Sequence, residues 1–164
     1  MRASTVAVAF AAMLASTAFA QEVGQPAPAF DVPGSSGNVR LADMKGKVVY
    51  VDFWASWCAP CKQSFPWMNE MQAKYGPRGL QIVGVTVDRK REDAEKFLAA
   101  TPAKFAVAYD TTGQVAGAYK PKGMPTSFLI GADGVVRAVH VGFKDSDRAE
   151  LEKQIEAQLV AAKK

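Results

Sequence analysis

The run "KVVYVDFWA" from Lys47 to Ala55 is apolar, β-branched and aromatic throughout its interior, interrupted only by Asp52. Strict alternation would mark a strand with one wet face. A continuous run marks a strand buried on both faces, at the centre of a sheet with helices on either side. Directly downstream, Phe65, Met68, Met71 and Tyr75 recur at helical spacing, Glu70 and Lys74 stand one turn apart, and Gly76-Pro77 closes the pattern. The chain therefore has to build a central strand, a short loop and a long helix in succession. That loop carries the only two cysteines of the 164 residues, Cys58 and Cys61.

The remaining sequence reads as mixed α/β. Leu80 to Val87 is a second buried strand, Arg91 to Ala100 a helix with Ala94, Phe97 and Leu98 inward, and Phe105 to Tyr109 a short strand. A short helix is expected over Gly113 to Tyr119. The segments "PTSFLI" from Pro125 and "GVVRAVHVGF" from Gly134 read as a hairpin turned at Asp133-Gly134. A closing helix is expected to start near Asp147, with Glu150 as its reciprocal cap and Leu151, Ile155 and Leu159 on one face. Strands on both sides of a crossover helix, then a hairpin and a last helix, imply a mixed sheet flanked by helices.

Three chemistries could use Cys58 and Cys61. A structural disulfide between them closes too small a loop to restrict the unfolded chain much. A structural zinc site needs about four ligands, and beyond the two thiols the chain offers one histidine, His140. A reversible dithiol–disulfide couple suits the spacing, because Cys-x-x-Cys at a helix start sets both sulfurs on one turn. The helix N-terminus then aims free N–H groups and partial positive charge at Cys58, which favours the reactive thiolate. Pro60 is tolerated in a first turn, whereas Pro66 falls inside the helix and should kink it.

The first twenty residues are of another kind. "MRASTVAVAFAAMLASTAFA" has Arg2 as its single charge, an Ala- and Val-rich stretch and an Ala18-Phe19-Ala20 cleavage pattern. This is the anatomy of a secretory signal peptide, residues 1–20, cleaved after Ala20 to leave one domain over 21–164 in the periplasm. The net charge of +4 comes from 20 basic and 16 acidic residues dispersed without blocks, which argues against a nucleic-acid partner.

"VVYVDFWASWCAPCKQSFP", followed much later by "GMPTSFLI", closely resembles the thioredoxin superfamily. The opening "VGQPAPAFDVPGSSGNVRLADMKGK" and the long stretch between Asp88 and Pro125 resemble its TlpA/ResA branch of exported bacterial oxidoreductases. The resemblance implies a thioredoxin-like sheet with an N-terminal strand extension and an inserted helix–strand segment before a cis-proline. By position it makes Cys58 the exposed attacking thiol and Cys61 the buried resolving thiol. Trp54 and Trp57 would pack around the motif, Pro125 would be the cis-proline, and the Met124 backbone would pair with a client strand. Trp57, Pro60, Met124 and Pro125 are thus the implied client-binding residues. Asp52 matches the buried acid that moves protons for the resolving thiol, with a carboxyl raised by burial.

Two departures matter. Where thioredoxins carry a lysine beside the buried acid, this chain has Gly84, so the upward shift at Asp52 is less restrained. Peroxiredoxins share the fold and a similar opening, but carry Thr or Ser three residues before their reactive cysteine, where this chain has Ala55. That argues against a peroxidase. Ala59 and Pro60 offer the Cys58 sulfur neither charge nor donor, unlike the histidine of the strong oxidant DsbA, so a reducing couple is expected. The expected clients are exported proteins whose disulfides must be opened, such as apocytochrome c or copper-site proteins. Electrons would come from a membrane oxidoreductase, and the chain would act as a monomer without cofactor or resident metal. The competing reading is a Cu(I) metallochaperone using Cys58 and Cys61, with His140 as a third ligand. Sco-like copper proteins, however, space their cysteines by three residues rather than two. His140 itself, in an alternating strand, reads as a packing or surface residue, and Met68 and Met71 read as core.

Overall fold

A computed structural model describes residues 22–163. The expected signal peptide lies outside the described residues. Among them, no helix is long and apolar enough to cross a membrane.

Seven strands form one mixed sheet in the order β2-β1-β5-β4-β3-β6-β7. At its centre lie β3 (Val48–Trp54), β4 (Leu80–Thr86) and β5 (Ala106–Tyr109), all parallel. β6 (Thr126–Ile130) runs antiparallel to β3, and β7 (Val136–Val141) antiparallel to β6. The hairpin β1 (Asp31–Gly34) and β2 (Gly37–Arg40) adds to the far edge through β5. This is the expected N-terminal extension. The expected insertion is α2 (Arg91–Ala100) with β5, followed by the short helix α3 (Gln114–Tyr119).

Every residue of β3 is buried, as its unbroken apolar run requires. Val48, Tyr50 and Trp54 face one layer with α1 (Ala59–Tyr75), α2 and α4 (Arg148–Ala161); Val49, Val51 and Phe53 face another with Phe30, Val115 and Tyr119. In the first layer Trp54, Phe65, Phe97 and Phe105 stack edge-on or tilted at centroid distances of 4.8–5.2 Å. Each such pair contributes about 0.5–1.5 kcal/mol beyond area burial, so α2 is anchored directly onto β3 and α1.

Three local expectations change. The Asp147–Glu150 cap does not form: Asp147 Oδ2 accepts the Lys144 N–H at 2.9 Å within a preceding 3₁₀ turn, Asp145–Asp147, and Glu150 accepts from Gln154 instead. Lys74 pairs with Glu152 on α4 at 2.7 Å rather than with Glu70. The long-range pair ties α1 to α4 at the surface. The chain reversal after α1 is completed not by Gly76-Pro77 alone but by Gly79, whose φ of 105° is open to glycine.

Candidate active site

The dithiol sits where the strand–loop–helix pattern puts it, at the carboxyl end of β3. Cys58 is the N-cap of α1, with extended backbone, and its Sγ accepts the Cys61 N–H at 3.3 Å. The first-turn donor aimed at Cys58 is therefore the amide of its own partner cysteine. The two are joined in a disulfide with Cα atoms 5.4 Å apart. Pro60 stands in the first turn, where its missing N–H leaves nothing unpaired, and Pro66 lies inside the helix.

Exposure revises one expectation. Cys58, read as the exposed thiol, is only 3% exposed in this disulfide form, while Cys61 is fully buried. The residual access still belongs to Cys58 alone. Trp54 packs as expected, at 0%, whereas Trp57 is 71% exposed. An indole standing free beside a reactive sulfur is a surface for a partner rather than a lid.

The Met124–Pro125 bond is cis. β3 and β6 pair Phe53 with Thr126, so Pro125, one residue further, stands level with Trp54 at the sheet end that bears the dithiol. The Gly123 carbonyl accepts from Thr126 Oγ1 and the Pro125 carbonyl from the Gly142 N–H, each at 2.8 Å, leaving Met124 partly exposed between two fixed neighbours.

Asp52 is 2% exposed, and its Oδ2 has no hydrogen-bond partner among the described residues. Burial pushes its carboxyl well above the usual carboxylate range. On its flanks in the sheet stand Gly84 of β4 and Ser127 of β6. Ser127 Oγ accepts the Tyr50 hydroxyl at 2.7 Å, and burial with the nearby Asp52 charge pushes that phenol upward. Tyr50 and Ser127 were missed from sequence because only the β3–β6 register brings them together. Asp88, just beyond β4, was missed too, although a carboxylate at the carboxyl end of a parallel strand is a recognisable signal.

His140 faces Asp147, with Nε2 3.3 Å from Oδ2, and Met68 and Met71 are in the core. A cavity of about 480 Å³ lies at the other end of the sheet around Val49 and Ile130. Beside the dithiol loop lies a more open groove of about 320 Å³ bordered by Ser56, Lys62, Asp93 and Lys96.

Residues 23–139 match the model of the AhpC/TSA family. The chain belongs to that family. Its relatives there include the thiol-disulfide oxidoreductases ResA of Bacillus cereus, 35% identical over 79% of this chain and 75% of the relative, and of Bacillus subtilis, 37% identical over 73% and 67%. A Chlorobium tepidum protein assigned as thiol:disulfide interchange protein DsbE is 56% identical and superposes with a TM-score of 0.84, covering 85% of this chain and 99% of its own. The thioredoxin-like fold is thereby shown, and this AhpC/TSA member is a thiol-disulfide oxidoreductase. Within the family its reactive loop is the Cys-x-x-Cys kind, with Ala55 three residues before Cys58.

Proposed function

We propose that the protein reduces disulfides of exported client proteins in the periplasm. The reading rests chiefly on one observation: the Cys58–Cys61 disulfide closes the first turn of α1 at its N-cap, with only Ala59 and Pro60 between its ends. In the reduced state the Cys58 thiolate attacks a client disulfide, forming a mixed disulfide and releasing one client thiolate. Cys61, deprotonated with Asp52 as the base, then attacks Cys58 Sγ and releases the second client thiolate. Two electrons pass to the client, and the enzyme is left in the disulfide form. Trp57, Pro60, Met124 and Pro125 border the client.

An Ala-Pro bridge supplies no charge or donor to hold the Cys58 thiolate beyond the helix N-terminus itself, which supports a reducing couple. Continuous turnover in an oxidising compartment then requires a membrane oxidoreductase as electron donor. The clients implied are those needing free thiols, such as apocytochrome c or a copper-site protein, with the chain acting as a monomer. The test is equilibration with glutathione buffers. A potential near that of thioredoxin, about −270 mV, is expected; one near that of DsbA, about −120 mV, would overturn the direction.

A further inference from the structure

Just past the end of β4 stands a carboxylate that the scheme above does not use. Asp88 is 7% exposed. Its Oδ2 accepts from the Ser56 N–H and from Thr86 Oγ1, each at 2.9 Å, and its Oδ1 accepts from Ser56 Oγ at 2.9 Å. The Thr86 hydroxyl in turn accepts the N–H of Asp88 at 3.2 Å. Three donors converge on the carboxylate and none is a cation. Among the described residues no ion pair includes Asp88. The arrangement solvates a negative charge without neutralising it.

Ser56 is two residues before Cys58, in a turn closed by the Cys58 N–H donating to the Ala55 carbonyl at 3.1 Å. Two residues span at most about 7 Å; with the 2.9 Å hydrogen bond to the Ser56 N–H and the length of the Cys58 side chain added, the Asp88 charge lies within roughly 14 Å of the Cys58 sulfur. At that range, in a partly buried setting, an unneutralised charge is felt.

We propose that Asp88 is a positioning residue of the dithiol. It fixes the turn that delivers Cys58 to the helix N-cap and sets a negative charge behind the sulfur, biasing the couple toward its disulfide form. The inference rests on Cys58 being the attacking thiol. A charge that disfavours the Cys58 thiolate disfavours the reduced protein, and so makes that protein a stronger electron donor. The other groups facing the loop are mixed in sign. The Cys61 N–H points at the sulfur; Lys62 of α1 and Lys96 and Asp93 of α2 line a groove of about 320 Å³ with Ser56; Asp52 lies on β3, and Arg89 and Lys90 follow Asp88 in exposed positions. Of these side chains only Asp88 is bonded to the loop itself, through two atoms of Ser56.

The test compares Asp88→Asn, which removes the charge, with Ser56→Ala, which removes one donor and keeps it. Asp88→Ser serves as a second neutral variant, small enough to fold where the amide does not. Cys58 is titrated by its alkylation rate against pH, and the dithiol–disulfide equilibrium is read against glutathione. Neutral variants should lower the Cys58 midpoint by about half a unit to one unit and shift the equilibrium toward the dithiol by about 3- to 10-fold. Ser56→Ala should move the equilibrium less than about two-fold. A neutral variant with an unchanged or raised midpoint, or a Ser56→Ala shift as large as that of Asp88→Asn, would overturn the proposal. A wild-type potential in the oxidant range would instead defeat the reductase reading and leave the difference between variants standing.

Discussion

Asp52 and Gly84 stand side by side across the parallel β3–β4 pair, so the position best placed to bring a cation to the buried carboxyl has no side chain at all. The space is not spare. A Cβ built on Gly84 would lie 2.9 Å from Phe105 Cε2 and 3.1 Å from Trp54 Nε1. The aromatic cluster that anchors α2 fills the room that a lysine stem would occupy, and Asp52 is left to burial alone.

Gly84→Ala should therefore destabilise the protein by about 1–3 kcal/mol through overpacking, despite the better backbone entropy of alanine. Urea unfolding is the measurement: the midpoint should fall with an unchanged slope. A midpoint equal to that of the wild type would show that Trp54 and Phe105 give way freely.

Asp52→Asn should stabilise the protein increasingly as pH rises. Burial raises the folded-state carboxyl above its ordinary value of 3.8, so the fold favours the protonated form. Its contribution is full below that ordinary value and is lost as pH climbs through the folded one. Asparagine has no such loss, so its melting-temperature advantage over the wild type should widen between pH 4 and pH 8. The same variant should slow resolution of a mixed disulfide and flatten its pH dependence if Asp52 serves Cys61. A constant gap in melting temperature would contradict the burial argument.

Cys61→Ser should trap clients on Cys58 as mixed disulfides that vanish with reductant. Cys58→Ser should trap about tenfold less, because Cys61 is fully buried while what access exists is at Cys58. Non-reducing gels and mass spectrometry of cells expressing each variant make the comparison. Equal trapping by the two would undo the assignment of roles.

Tyr75→Phe should loosen α4 from α1. The Tyr75 hydroxyl lies 2.7 Å from Glu152 Oε1 and 2.8 Å from Glu156 Oε1, and Lys74 reaches the same Glu152 oxygen at 2.7 Å. Loss of the hydroxyl should cost about 1–2 kcal/mol in thermal or denaturant unfolding. The hydrogen bonds from Lys74 and then Tyr75 hold Glu152 below its ordinary 4.5. Its contribution is present above that value and lost as pH falls through the folded one. Glu152→Gln should accordingly melt lower than the wild type at pH 7 and converge with it in acid.

The parts legible in the sequence are those with a local cause. The unbroken run before Cys58 gave a strand buried on both faces, the 3.6-residue spacing after it gave α1, and Arg91 to Ala100 forms a helix with the limits its pattern indicated. The turn at Asp133-Gly134 follows from a glycine at φ 81°. What was not legible depends on register between distant segments. The Tyr50–Ser127 bond joins residues 77 apart and the Ser56–Asp88 bonds residues 32 apart, and no periodicity announces either. Lys74 had a plausible partner one turn away and took one 78 residues off. The burial of Cys58 likewise depends on how the loop folds back onto the sheet, which residue spacing does not encode.

The disulfide joins an N-cap to the third residue of its own helix, at a Cα separation of 5.4 Å. Helical neighbours three apart already stand at about that distance, so the helix needs no repacking to open or close the bond. The gain or loss of two electrons therefore asks no rearrangement of that helical turn and places or removes charge at one sulfur. A donor and a client approaching the same face meet a sulfur that carries charge in one state and none in the other.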